Sequence, residues 1–278
     1  MTMSIVSPSN SRLTTSTPSS PPWALRSAQT LKSHLLKQQR ALKRLHDTFP
    51  VCGEYPVRQS KHSYLVASKV EPNVNTVPRA AAILPTMSAK SGYLDILAST
   101  SLEYTAVSNG IFLDYYGIPK VKFYLGNLPR VIDMAGNAAA IPGSENVPVV
   151  FSYSLDVGSF VAALLSSAKW EKESVIIGDK TTWNEFLIVA EETKGTKFES
   201  KHDSLTTLQK GRSTALPSQR QLYPYLPQEK LERMCATFGV LFENGFFHFN
   251  HEGSFNEKFP HIATRSVKAL LKESWSES

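Results

Sequence analysis

The sequence predicts an α/β fold, on three observations. From about residue 82, short β-rich runs alternate with segments of helical periodicity. The 278 residues are 41% hydrophobic, which excludes a wholly disordered chain and suffices for one sizeable core or two small ones. No apolar run approaches the roughly 18 residues of a membrane span, since the best, Phe160 to Leu165, ends in serines and a lysine. The chain therefore reads as a soluble protein. Its two cysteines, Cys52 and Cys235, lie far apart and exclude both a disulfide framework and a cysteine-rich zinc site, which fits a reducing compartment.

Taken in order, residues 1–30 hold eight Ser, five Thr and four Pro with hardly any apolar periodicity, and are read as disordered. Ser27 to Asp47 mixes five leucines with Lys32, Lys37, Arg40, Lys43 and Arg44 on a basic amphipathic helix. Such openings resemble mitochondrial transit peptides, while a solvated helix on a leader is the plainer reading, so the compartment is read as cytoplasmic with mitochondrial as the alternative. Residues 48–80 have no sustained period and are loop-like.

Ser88 to Ala98 is expected to be a helix with Leu94 and Leu97 inward, followed by a strand over Leu102 to Val107. Ala138 to Ile141 and Val147 to Tyr153 flank the turn-rich residues 142–146 and suggest a hairpin. Asp156 is expected to cap a helix through Phe160, Val161, Leu164 and Leu165. A strand over Ser174 to Ile177 precedes Thr182-Trp183-Asn184-Glu185, a capping-box pattern that opens a helix to about Thr193. Helical periodicity returns in Gln228 to Phe242 and Ala263 to Trp275, with Pro217, Pro224, Pro227 and Pro260 in the loops between. There is no internal repeat.

The net charge of +6 lies entirely in the first 60 residues, with eight basic and two acidic groups, and the remainder is neutral. A balanced globular part offers no footprint for direct nucleic-acid binding. A dinucleotide site of the usual kind needs glycines two or three apart between a strand and a helix. The closest of the 14 glycines are six apart, so neither such a loop nor a Walker P-loop can be written in this chain.

Residues from about 73 to the C-terminus nevertheless carry a series of phrases in order: Leu102-Glu103-Tyr104-Thr105, Ser108-Asn109-Gly110-Ile111-Phe112-Leu113-Asp114-Tyr115-Tyr116, Ala138-Ala139-Ala140-Ile141-Pro142-Gly143, Leu155-Asp156-Val157-Gly158-Ser159-Phe160, Ile176-Ile177-Gly178-Asp179-Lys180 and Thr182-Trp183-Asn184-Glu185-Phe186. In these the chain resembles the distal part of the NmrA-like, isoflavone-reductase-like family of atypical short-chain dehydrogenases. The resemblance implies a partial Rossmann-like, NAD(P)-binding fold that lacks its N-terminal βαβ units, with a small α/β substrate region and a disordered leader. Residues 1–72 would be that leader and 73–278 the distal NmrA-like domain. It further implies an NAD(P)H-dependent reductase of small aromatic or phenolic molecules with NADP(H) as cofactor, impaired because the glycine loop is missing. A non-catalytic redox-sensing regulatory protein, or an inactive truncated gene product, is the alternative.

The resemblance places a catalytic lysine about fourteen residues before the Tyr-Thr of a strand, where Lys90 stands relative to Tyr104. Lys90, Leu94 and Leu97 share one helical stripe, so a proton-transferring lysine and a snorkelling one both fit. The matching loops of the family lie beside nicotinamide and substrate, which makes Ser108, Asn109 and Gly110 the cofactor candidates and Phe112, Tyr115 and Tyr116 the substrate wall. Ordinary turn and core chemistry would equally account for these residues.

Asp156 and Glu185 read as capping groups rather than catalysts, and His248 and His251 lack further ligands for a metal. Tyr116 and Lys120 match a Tyr-x-x-x-Lys dyad only across Gly117 and Pro119, which make a turn. Seven phenylalanines between 238 and 259 form either a lid over a cleft, a docking surface or a local aromatic core. Loss of preceding strands and helices would leave the sheet with a long unpaired edge and an uncovered apolar face, calling for self-association or a protein partner besides the small-molecule substrate.

Overall fold

The computed structural model describes residues 104–123 and 127–276, together with the backbone of two short strands at Met3–Ile5 (β1) and Tyr64–Ala67 (β2). The basic helix expected at 27–47, the helix expected at Ser88 to Ala98 and Lys90 itself lie outside the described residues.

Three sheets organise the chain. The first has the order β1-β2-β3-β8, where β3 is Tyr104–Ser108 and β8 is Glu173–Val175. β2, β3 and β8 run parallel and β1 is antiparallel to β2. β3 is thus paired on both sides, and among the described residues β1 and β8 are the outer strands of this sheet. β2 falls in a stretch without periodicity, and four residues are too short a run to show one. Thr105 and Ser174, both buried, share a hydrogen bond of 3.0 Å between β3 and β8.

The second sheet has the order β10-β6-β5, with β10 Glu199–Asp203 parallel to β6 Ala138–Pro142, and β5 Ile132–Asp133 antiparallel to it. The third has the order β4-β7-β9, with β4 Ile111–Phe112 parallel to β7 Val149–Ser152, and β9 Asp179–Thr181 antiparallel to it. β6 and β7 therefore do not pair, and the expected hairpin is a crossing between sheets. All four residues of β7 are buried, which a strand with one solvated face would not permit. Residues 143–148 still form the expected turn, with Gly143 and Glu145 in the left-handed region.

Helix α1, Ser154–Leu165, buries Val157, Phe160 and Leu164 on one stripe. Its first residue is held from outside: the Asp114 carboxylate accepts from the Ser154 backbone N–H at 2.9 Å and from the Ser154 hydroxyl. Asp156 is not the cap expected of it, because it lies inside the first turn, and its Oδ2 accepts from the Arg265 N–H at 2.7 Å. Helix α2, Trp183–Lys194, has the expected capping box, with Glu185 N–H donating to Thr182 Oγ1 at 3.2 Å and Thr182 N–H donating to Glu185 Oε2 at 2.8 Å.

After the short α3, Leu205–Gln209, come α4, Gln228–Glu243, α5, Phe255–Lys258, and α6, Val267–Trp275. α6 starts four residues later than its periodicity suggests, where the Ser266 side chain accepts from Ala269 N–H. The core centres on Phe151, Trp183, Phe186 and Phe242, with ring centroids 5.1 Å apart for both Phe151–Trp183 and Trp183–Phe242. Phe242, Phe246, Phe247, Phe249 and Phe255 are buried, so the phenylalanine-rich segment is core.

Candidate functional site

β3 leaves the first sheet at Ser108, and two residues later β4 begins in the third. Asn109 and Gly110 are the whole junction. The adjacent strand makes the same transfer, from β8 through residues 176–178 to β9, and the Ile176 N–H donates to Ser108 O at 2.8 Å. Both junctions ride on β7. A Cβ on Gly110 would lie 2.0 Å from Val150 O, and one on Gly178 would lie 2.4 Å from Phe151 O, so only glycine permits the approach. Gly110 also has φ +69°, in the left-handed region. Ligands of open α/β sheets bind outside the carboxyl ends of the strands, the side on which β3 ends here.

Asn109 is 1% exposed, and neither its Oδ1 nor its Nδ2 has a hydrogen-bond partner among the described residues. Leaving one buried polar group unmade costs about 1–3 kcal/mol, so this side chain holds an unspent donor and an unspent acceptor at the junction. Ser108 beside it is also buried.

The chain then turns through a 3-10 helix, Leu113–Tyr116, whose four residues are all buried. Phe112 lies in the main core at 4% exposure. Tyr116 packs against Phe151, Phe186 and Trp183, and its hydroxyl donates to Arg130 O at 3.4 Å. Lys120 is exposed and Gly117–Lys120 is a turn, so Tyr116 and Lys120 form no helical dyad. The Tyr115 ring lies 4.7 Å from the Arg130 guanidinium, and burial pushes its hydroxyl up to about 12. Burial likewise pushes the Asp114 carboxyl up to about 6, against the hydrogen bonds from Ser154.

Two of these groups escaped the sequence reading. Asp114 is the lone carboxylate in the apolar run Ile111 to Tyr116, and Arg130 the lone charge between Leu128 and Ile132. A charge inside an apolar run is the signal that could have found them. Among the described residues no group of three or more metal-ligating side chains occurs, and no helix is long and apolar enough to cross a membrane.

The geometry suits part of a dinucleotide site. The Asn109 amide could hold a carboxamide or hydroxyl of a nicotinamide nucleotide, whereas Gly110 is accounted for by its approach to β7. No family model matches the chain. Over 181 residues it is 35% identical to oxidoreductase BOA1 of Botryotinia fuckeliana, which takes in 64% of this chain and 56% of that protein. It is 24% identical over 179 residues to oxidoreductase swnN of Metarhizium robertsii, covering 63% of this chain and 52% of that one. The chain thus spans a little over half the length of these curated relatives.

Among solved structures, a leucoanthocyanidin reductase–NADPH complex from Vitis vinifera superposes with a TM-score of 0.51 at 16% identity, over 71% of this chain and 62% of that one. The ternary complex of the same reductase gives 0.51 at 14% identity, over 69% and 61%. The chain has the fold of the NmrA-like, isoflavone-reductase-like proteins. The matches to its sequence relatives take in only part of this chain.

Proposed function

We propose that this protein is an NAD(P)H-dependent oxidoreductase of small aromatic or phenolic molecules, with Asn109 meeting the cofactor at the β3–β4 junction. The buried, unpartnered Asn109 amide carries the reading. The oxidoreductase relatives support the reaction class, and the NADPH complex of a reductase with this fold supports NADP(H). When bound, the cofactor supplies the hydride. Ser108 and Asn109 line its place with Gly110 holding the junction against β7, Phe112 and Tyr116 back the substrate side from the core with Tyr115 nearest the wall, and Lys90 gives a proton to the substrate oxygen.

Because no glycine loop occurs in the chain, NADPH affinity is low, with dissociation in the millimolar range or weaker. Titration of the full chain with NADPH, followed by nucleotide fluorescence, tests both points. Low-micromolar dissociation overturns the impairment. The near-isosteric Asn109→Leu should weaken binding further, by about tenfold; equal affinity removes Asn109 from the site.

A further inference from the structure

Residues 176–178, which carry the chain from β8 to β9, lie outside any strand, yet Ile176 and Ile177 are buried at 0% and 7% exposure. Buried backbone groups outside a ladder need partners from elsewhere. Side chains supply them here. Asn256 Oδ1 accepts from the Ile177 N–H at 2.9 Å and Asn256 Nδ2 donates to the Ile177 carbonyl at 2.8 Å, so one amide closes on both backbone groups of a single residue. The Gly178 N–H donates to Ser152 Oγ at 3.1 Å, and its carbonyl accepts from Thr264 Oγ1 at 2.8 Å.

Asn256 comes from 79 positions further along, on α5, which is anchored by the buried ring of Phe255 at 6.4 Å from that of Phe160. Its amide presents an acceptor and a donor together, whereas aspartate of the same size keeps the acceptor and leucine keeps neither. The segment it holds bears on the Asn109 junction by two routes. The Ile176 N–H donates to Ser108 O, and that carbonyl belongs to the planar Ser108–Asn109 peptide unit. The Ile177 side chain packs with Val150 and Phe249, and the Val150 carbonyl is the one that Gly110 approaches.

We propose that Asn256 is a positioning residue for the nucleotide site: by clamping Ile177 it fixes the Ser108–Asn109 peptide plane and so aims the Asn109 amide at the cofactor. The proposal rests on the reading of Asn109 as the group that meets the nucleotide. Asn256 acts on the fraction of molecules whose Asn109 is oriented to bind, and apparent affinity falls in proportion to that fraction.

The test is titration of the full chain with NADP⁺, followed by the side-chain ¹H–¹⁵N resonances of Asn109, in the unaltered protein and in Asn256→Leu. In the nucleotide-free variant these resonances should already be displaced, and NADP⁺ affinity should fall about fivefold, within what a residue acting through intervening contacts transmits. A mere loss of stability would change neither in the molecules that stay folded. Asn256→Asp, which cannot donate to the Ile177 carbonyl when ionised, should displace the same resonances and lose affinity, and it serves if the leucine variant does not fold. In the unaltered protein NADP⁺ should also slow hydrogen exchange at the Ile177 N–H, because a clamp that favours binding is favoured by it in turn. Undisplaced Asn109 resonances, equal affinity in a folded variant, or unslowed exchange at Ile177 overturns the proposal and leaves the cofactor reading standing. Asn109 resonances of the unaltered protein that do not respond to NADP⁺ overturn the cofactor reading, and the proposal with it.

Discussion

Asp114 shows how one buried residue couples folding to protonation. It is fully buried, and desolvation outweighs the two hydrogen bonds from Ser154, lifting its carboxyl from 3.8 to about 6. Folding therefore favours the protonated form. The associated stability is fully present below about pH 4 and is lost as pH rises through about 6, a difference of ~3 kcal/mol. Urea unfolding at pH 4 and pH 7 should show the unaltered protein losing stability relative to Asp114→Asn by about that amount; parallel profiles would mean that the carboxyl titrates as if solvated. Asn109 carries the opposite kind of tension, two unmade hydrogen bonds kept at a junction. Asn109→Leu should raise unfolding stability by about 1–3 kcal/mol while weakening NADPH binding, and a loss of stability would show that the amide is satisfied in solution.

At the scale of elements, the helices follow from local rules and the strand partners do not. Helix α2 opens on the Thr182–Glu185 box and closes on Gly195, which adopts φ +62° beyond Lys194. Thr182→Ala should cost about 1 kcal/mol and lower the melting midpoint by a few degrees in a calorimetric scan; an unchanged midpoint would mean that tertiary packing alone holds this end. The box was legible because its partners stand three residues apart. The β6–β7 hairpin was misread for the complementary reason. Both runs have strand composition and a turn between them, yet β6 pairs with β10 and β7 with β4 and β9. Pairing depends on which faces are buried, and β7, buried at every position, belongs in the middle of a sheet.

At the scale of the whole molecule, the C-terminal helix closes the core. Val267, Leu270 and Leu271 of α6 are buried, and the Trp275 Nε1–H donates to Tyr116 O at 2.6 Å across 159 positions of sequence. Two further backbone N–H groups of this region are taken up by carboxylates, Arg265 by Asp156 and Val267 by Asp179 at 2.8 Å. A chain ending at Ile262 would expose that apolar face and take from Asp156 and Asp179 the N–H donors that α6 and its approach supply. It should show no cooperative thermal transition by circular dichroism, whereas a sharp transition near that of the full chain would show α6 to be dispensable.

The sequence by itself determined the strands β3, β6, β7 and β8, the helices α1, α2, α4 and α6, the box that opens α2, the segregation of positive charge into the first 60 residues and the resemblance to the isoflavone-reductase-like proteins. It also marked Ser108, Asn109 and Gly110 as a place after a strand where a ligand could lie. Only the tertiary structure decided that Asn109 and Gly110 join two sheets, that the Asn109 amide has no partner there among the described residues, and that Arg130 lies between two rings. Helical period, caps and turns are set by residues within four positions of one another. Whether a buried polar group is satisfied depends on side chains brought from far along the chain, as Ser154 is brought to Asp114 and Phe238 to Arg130.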